Sequence, residues 1–490
     1  MSLLGSLARP WGGTRERPAP RKLSVATIGL ALLILWLPVQ TPLAIVVFQY
    51  GHHEKWAQAL LLVKDVYAAL MIAYLFVRCW RRLTFYWFDW AAIGYAVLIV
   101  VYSIVPWLLG SHIGVTSVVA SARELAVPIE LYALGRLAVA GGADIRWLVA
   151  WALAVAAAAA AFTVLVWALT PRTFWSTTLD LVTFVRVVQG VPNVQTLWDI
   201  SILARLGGGL DYANGFVRAV GPFTQPVGTG HYFVLPVVMT VAFFYQAINQ
   251  RRLWAAGAMA AVGLLFVAAV MVPISRGAWI AVALAVVLCS LIYRRRAIIF
   301  VGLALAAAAL VMVPAVRFSV VATLTGTDAS ASDHANALGK GISTVIDNPI
   351  GLGVGQSDQF GQVLGSGDTA GAGVGENMYI TLLVSIGPLG LLAFLVWSVG
   401  LLKYLIAVRH RAPPPSWIVI GSGAALVGYL VTALLAPPLM RFTTSATVWL
   451  VVGLAMGSVL AASRLAADGD GEGDAEGSAA GDDSIASPAM

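Results

Sequence analysis

The sequence predicts an all-α, polytopic membrane protein of about twelve transmembrane helices with two long extracytoplasmic loops. Three observations carry that expectation. Of the 490 residues, 60% are hydrophobic and 11% are charged, against roughly 25% charged in a soluble domain, so too little polar surface exists to face water on all sides. The mean hydropathy is +0.86. The apolar residues also gather into stretches of about 20, the length that crosses a bilayer as a helix, and basic residues separate alternate pairs of them.

The chain opens with a basic stretch, residues 1–22, that carries Arg9, Arg15, Arg17, Arg21 and Lys22. By the positive-inside rule it is expected in the cytoplasm. Ala19-Pro20-Arg21-Lys22 precedes the first apolar run, which reads as a span that stays attached rather than a cleaved signal. Spans are then expected at 24–48, 57–78, 88–109, 118–138, 147–169, 229–248, 253–272, 277–293, 297–314, 377–408, 417–436 and 442–462. The first holds Pro38 and Pro42 and is expected to be broken or tilted. Alternation assigns Arg78/Arg81/Arg82, Arg136/Arg146, Arg251/Arg252, Arg294/Arg295/Arg296 and Lys403/Arg409/Arg411 to one side, with the N-terminus and Arg464. That side holds nineteen of the 30 Lys and Arg, which places both termini inside. Pro413-Pro414-Pro415 makes a stiff connector. Residues 463–490 are acidic and rich in Gly and Ala, a composition that buries too little to fold, so a disordered cytoplasmic tail is expected.

The net charge of +7 serves topology. No basic stripe with interleaved aromatics is present, so nucleic acid is not an expected partner. Cys79 and Cys289 lie near the ends of apolar spans without metal-ligand spacing and read as small packing residues. No metal site or cofactor is expected.

Two connections exceed ordinary loop length, about 170–228 and 315–376, and alternation puts both outside. They contain aromatics, Arg, Asp and Gly without low-complexity bias, so function is expected to face outward. Positive charge should be scarce there. Arg218 precedes the sixth span in Arg218-Ala-Val-Gly-Pro-Phe223, and Arg276 sits in Ser275-Arg276-Gly277, the tight connection between spans seven and eight. An arginine fixed at headgroup depth is costly unless it meets an anion, for which phosphate is the natural partner. The competing reading is an arginine that snorkels to ordinary lipid phosphate.

The second loop contains three notable pieces. A helical stretch begins at Asp333-His334-Ala335, where His334 is either a base or a surface residue. Asn348-Pro349-Ile350-Gly351-Leu352-Gly353-Val354-Gly355 follows; it lacks the Gly-Lys-Ser/Thr ending of a nucleotide loop and reads as a backbone turn. The loop ends in Glu376-Asn377 at the mouth of the tenth span. These residues could cap the helix, or Glu376, kept ionised by nearby arginines, could accept a proton from a hydroxyl.

Taken together, these features resemble the O-antigen ligase and O-antigen polymerase superfamily of membrane glycosyltransferases. The resemblance rests on the twelve-span layout, Arg218 with Gly221-Pro222-Phe223, Ser275-Arg276-Gly277, Asn348-Pro349-Ile350-Gly351-Leu352-Gly353, and Asn377 followed by Gly387 and Gly390. It covers most of the chain and is most specific from Arg218 to Gly390. It implies a transmembrane glycosyltransferase domain over residues 23–462 in the cytoplasmic (inner) membrane. The implied reaction moves a glycan from an undecaprenyl-diphosphate-linked donor to a sugar hydroxyl of an acceptor glycan on the outer face, without a metal. Arg218 and Arg276 would hold the lipid diphosphate, Glu376 or His334 would activate the acceptor, and Asn377 and Ser275 would support them. Membrane lipid surrounds the enzyme, and a flippase or chain-length factor would be a further partner.

The chain departs from the ligase pattern at one place. Family ligases carry His immediately before the Asn377-type position, where this chain has Glu376, as some polymerase-like members do. Polymerisation of repeat units is therefore the expected activity, with ligation of a finished glycan to a lipid or cell-wall acceptor as the alternative. A transporter or flippase reading has Glu124 and Glu130, with Arg123 beside them, as a proton relay or a structural ion pair, but no repeated halves support it. A transferase using a polyprenyl-phosphate monosaccharide would want an acidic pair in the first outer loop, where only Glu54 stands.

Overall fold

The computed structural model describes residues 23–170, 174, 178–188, 218–295, 317, 320–321, 325, 329–356, 377–408 and 416–479. The expected ninth span, 297–314, and the basic stretch 1–22 lie outside the described residues. The other eleven expected spans all coincide with helices, and no strand appears among the described residues. The helices in chain order are α1 (Val25–Gly51), α2 (Glu54–Cys79), α3 (Trp87–Tyr102), α4 (Val105–Leu108), α5 (Val115–Ala140), α6 (Ile145–Leu169) and α7 (Leu181–Val188). After them come α8 (Pro226–Tyr232), α9 (Val234–Asn249), α10 (Leu253–Met271), α11 (Arg276–Ile292) and α12 (Ala329–Asp347). The last three are α13 (Met378–Val408), α14 (Ser416–Thr432) and α15 (Phe442–Ala479). Among the described residues seven helical segments are long and apolar enough to cross a membrane, and three shorter apolar helices accompany them. The chain is a polytopic membrane protein.

Helix starts are set by local chemistry. Ser24 Oγ accepts from the Thr27 amide at 3.1 Å and opens α1, and Asp144 Oδ1 accepts from the Trp147 amide at 3.1 Å and opens α6. The Asp144 amide donates to Thr27 Oγ1 at 3.0 Å, which ties those two starts together. At the same end Arg295 donates to Asn249 Oδ1 at 2.6 Å, and the Trp417 amide donates to Gln246 Oε1 at 3.1 Å. The opposite end is knitted separately, by Gln49 to Leu179 O at 2.7 Å and Gln356 to Ser111 Oγ at 2.5 Å. These connections are thus held to others at their own end of the bundle.

Of the break or tilt expected at Pro38 and Pro42, the break is absent, and the first helix runs continuously through both prolines. Each proline removes one helix bond, and the surrounding turns carry the helix past it. The break occurs instead in α13, at Gly387 (φ 67°, ψ −179°), followed by Pro388. This backbone conformation is open to glycine and strained for other residues. Pro388 has no amide to give the Val384 carbonyl one turn earlier, and the Leu352 amide of the glycine-rich segment takes that carbonyl at 2.7 Å. The Val354 amide donates to Tyr102 O at 3.0 Å, and Tyr102 Oη donates to Ile350 O at 2.7 Å. Gly351, Gly353 and Gly355 all have positive φ, as a turn-rich segment requires. The segment is therefore built into the side of a broken helix.

The core lies along the α5–α15, α11–α14, α9–α10 and α3–α13 contacts, with Trp397, Trp449 and Tyr95 fully buried. Trp397 and Trp449 stack at 4.6 Å between ring centroids. Among the described residues, charged side chains pair with one another within the helices. Arg136 is paired with Asp89 at 2.6 Å, both nearly buried, so it anchors α5 to the start of α3 rather than facing water between spans. Arg123 reaches α2, where its Nε donates to Asp65 Oδ1 at 2.9 Å. Lys64 is 3.4 Å from the same carboxylate and lies over the Phe442 ring. Cys79 and Cys289 are buried and free. The last helix runs to Ala479, so the first part of the acidic segment continues the helix.

Candidate functional site

The segment after Arg218 lies along the turn between α10 and α11. Arg218 Nε donates to Pro273 O at 2.8 Å, and the Ala219 amide donates to Val272 O at 3.0 Å. Three residues further on, Ser275 precedes α11 and Arg276 opens it. The two arginines singled out from the sequence therefore belong to adjoining segments of one backbone junction. Arg276 stands at the positive end of a 17-residue helix, where the backbone amides of the first turn and the guanidinium both favour an anion. Ser275 is buried and makes no side-chain cap bond.

The chain then turns through Gly221-Pro222-Phe223 into α8. Thr229 Oγ1 donates to Val220 O, which closes that turn. Helix α8 packs directly on the start of α11. A Cβ at Gly230 would stand 2.9 Å from Ser275 Cβ, and one at Gly277 would stand 3.2 Å from Cε1 and Nε2 of His231. His231 is 1% exposed. Its Nδ1–H donates to Val227 O at 2.9 Å, and Tyr429 Oη donates to the His231 carbonyl. Nδ1 must carry the proton because a carbonyl can only accept, so Nε2 faces Gly277 with its lone pair. Gly277 thus admits an imidazole beneath the turn that presents Arg276.

The approach is tight enough to test. Gly277→Ala is expected to push His231 and the first turn of α11 apart by a few tenths of an ångström. We expect a stability loss of about 1 kcal/mol and a larger fall in activity. Thermal unfolding in detergent and a turnover assay measure the two; unchanged turnover would show that the turn tolerates the shift.

Asn377 opens α13. Its Oδ1 accepts from the amides of Tyr379 and Ile380 at 3.0 and 3.2 Å, and its Nδ2 donates to Leu434 O at 3.0 Å. The Met378 amide donates to Ala433 O at 2.9 Å. Glu376 lies outside the described residues. His334 lies on α12, which meets α13 through Val345. Eleven residues, about 17 Å of helical rise, separate it from that contact.

Three residues that the sequence reading passed over join the group: His231, Gln225 and Arg441. Arg441 ends the connection that starts at Ala433, and its Nη1 donates to Gln225 Oε1 at 2.7 Å. One short connection therefore holds Asn377 at its first end and meets the Arg218 segment at its last. The signal for Arg441 was present, since alternation puts this arginine on the same side as Arg218 and Arg276. His231 carried no signal, because its role depends on a contact with a glycine more than forty positions away.

Residues 261–395 match the sequence model of the O-antigen ligase family. The match spans Arg276, His334, the glycine-rich segment and Asn377, and it supports assignment to the O-antigen ligase and polymerase superfamily. No curated protein matches the chain.

Proposed function

From the O-antigen ligase match over residues 261–395, which supports glycan transfer in the cell envelope, we propose that the chain is a polysaccharide polymerase. It takes a glycan from an undecaprenyl-diphosphate carrier and joins it to a sugar hydroxyl of a second glycan on the outer face of the cytoplasmic membrane. The observation that carries this reading is the junction of the Arg218 segment with the turn presenting Arg276. Two guanidiniums at one junction suit a diphosphate, and preorganised cations stabilise the charge that grows on the leaving group without a metal in the reaction.

Glu376 is the proposed base and His334 the second candidate for that role. Asn377, the next residue, fixes the start of α13 through its bonds to that helix and to Leu434. The orientation with both termini in the cytoplasm, and the organisation into a basic N-terminus, a transferase domain 23–462 and an acidic tail, belong to the same proposal.

The purified protein should convert lipid-linked repeats, extracted from cells deleted for the gene, into a ladder of longer lipid-linked glycans. Glu376→Gln keeps the shape of the side chain and removes its basicity; turnover is expected to fall about 100-fold or more. Near-normal turnover in that variant would remove Glu376 as the base. Transfer of a single finished glycan, with no ladder, would replace the polymerase reading by the ligase reading.

A further inference from the structure

The connection from Ala433 to Arg441 was not selected by any motif, yet it touches both halves of the proposed site. At its start Ala433 and Leu434 take hydrogen bonds from Met378 and Asn377. Near its end Thr444 Oγ1 donates to Pro438 O at 2.7 Å, and Trp449 Nε1 donates to Leu439 O at 3.2 Å, which bind it to the first turns of α15. Arg441 then reaches Gln225, seven residues along from Arg218 and at the start of the helix that packs on the Arg276 turn. We propose that Arg441 is a third diphosphate-binding residue, the one matched to the charge that appears when the glycan leaves. This rests on the transferase reading above.

The chemistry gives a third cation a distinct task. A sugar linked to a lipid diphosphate carries one negative charge on each phosphate. In the transfer, the acceptor oxygen bonds to the anomeric carbon and its proton passes to the base. The bond from the anomeric carbon to the phosphate oxygen breaks, and its electron pair leaves with that oxygen. The released lipid diphosphate therefore carries one more negative charge than the donor did. Arg218 and Arg276 match the charges present throughout. A cation aimed at the new charge binds the transition state more tightly than the donor, which raises kcat and leaves KM largely alone. Gln225 suits this task because a neutral amide oxygen can orient a guanidinium without cancelling its charge.

The Gln225 contact supplies a test that leaves Arg441 itself in place. Gln225→Glu keeps the size and the acceptor and turns the partner into a counter-ion. Wild type, Arg441→Ala, Arg441→Lys, Gln225→Glu and Arg276→Ala would be purified in detergent and assayed with lipid-linked repeats extracted from cells deleted for the gene. Arg441→Ala is expected to lower kcat about 100-fold, with KM changed by less than about threefold. Arg441→Lys should recover only part of that loss, because an ammonium lacks the planar fork. Gln225→Glu should lower kcat about tenfold or more at an unchanged unfolding temperature, and it decides the matter if Arg441→Ala does not fold. Wild-type kcat in either Arg441→Ala or Gln225→Glu, or a loss confined to KM, would overturn the proposal. If Arg276→Ala is inactive while Arg441→Ala is fully active, the Arg441 assignment alone fails; if the wild type itself transfers no glycan, the transferase reading fails and the Arg441 proposal with it.

Discussion

Arg276→Ala is expected to reduce glycan transfer by two to three orders of magnitude while the protein remains folded and inserted. Two features of the junction separate these outcomes. The backbone bond from the Ala219 amide to Val272 O and the packing of Gly230 on Ser275 hold the turn without the guanidinium. The side chain is half-buried at the start of α11, so removing it opens no core cavity. Turnover with lipid-linked repeats and thermal unfolding in detergent measure the two effects on one preparation. Arg276→Lys should regain little, since a point charge does not reproduce bidentate contact with phosphate. Full turnover in the alanine variant would end the diphosphate role.

The largest effect on stability is expected at the other end of the bundle. Asp89 accepts from Arg136 at 2.6 Å, from Tyr132 Oη at 2.9 Å and from the Tyr86 amide at 2.8 Å, and its side chain is 5% exposed. It is at once the cap of α3 and the counter-ion of Arg136, which also donates to Thr84 O. Asp89→Ala leaves a guanidinium buried without its counter-ion, and we expect a loss of about 3–5 kcal/mol. A lower unfolding temperature and a smaller monodisperse fraction in size-exclusion chromatography would register it. An unchanged unfolding temperature would mean that Arg136 escapes to water.

Much of this architecture is legible in the chain because bilayer length and charge alternation are strong, local constraints. Eleven expected spans fall on helices for that reason. What misleads is a residue whose meaning comes from a distant partner. Arg136 reads as one of the basic residues between spans, yet its position is fixed by Asp89 on another helix. Arg123 reads as a neighbour of Glu124 and Glu130, yet it bonds to Asp65 of α2. Pro38 and Pro42 suggest a broken or tilted first helix; that helix is continuous, and the break lies at Gly387-Pro388, where a loop amide donates to the freed carbonyl.

The same division holds at the candidate site. Arg218 and Arg276 stand out because arginine is rare on their side of the membrane, and their segments adjoin. Arg441 satisfies the same criterion and gains significance only through Gln225. His231 looks like one more residue of an apolar run until Gly277 is seen against its ring.

The docking of the glycine-rich segment into α13 has a consequence for how the long loop can vary. Leu352 and Val354 must meet the carbonyls of Val384 and Tyr102 in register. A single inserted residue between Asn348 and Val354 would carry those amides about 3.3 Å past their acceptors and leave a backbone carbonyl of the broken helix without a donor. Insertions and deletions in this loop are therefore confined to residues outside that stretch. Its spacing is as fixed as that of a membrane span, although its composition is that of a turn.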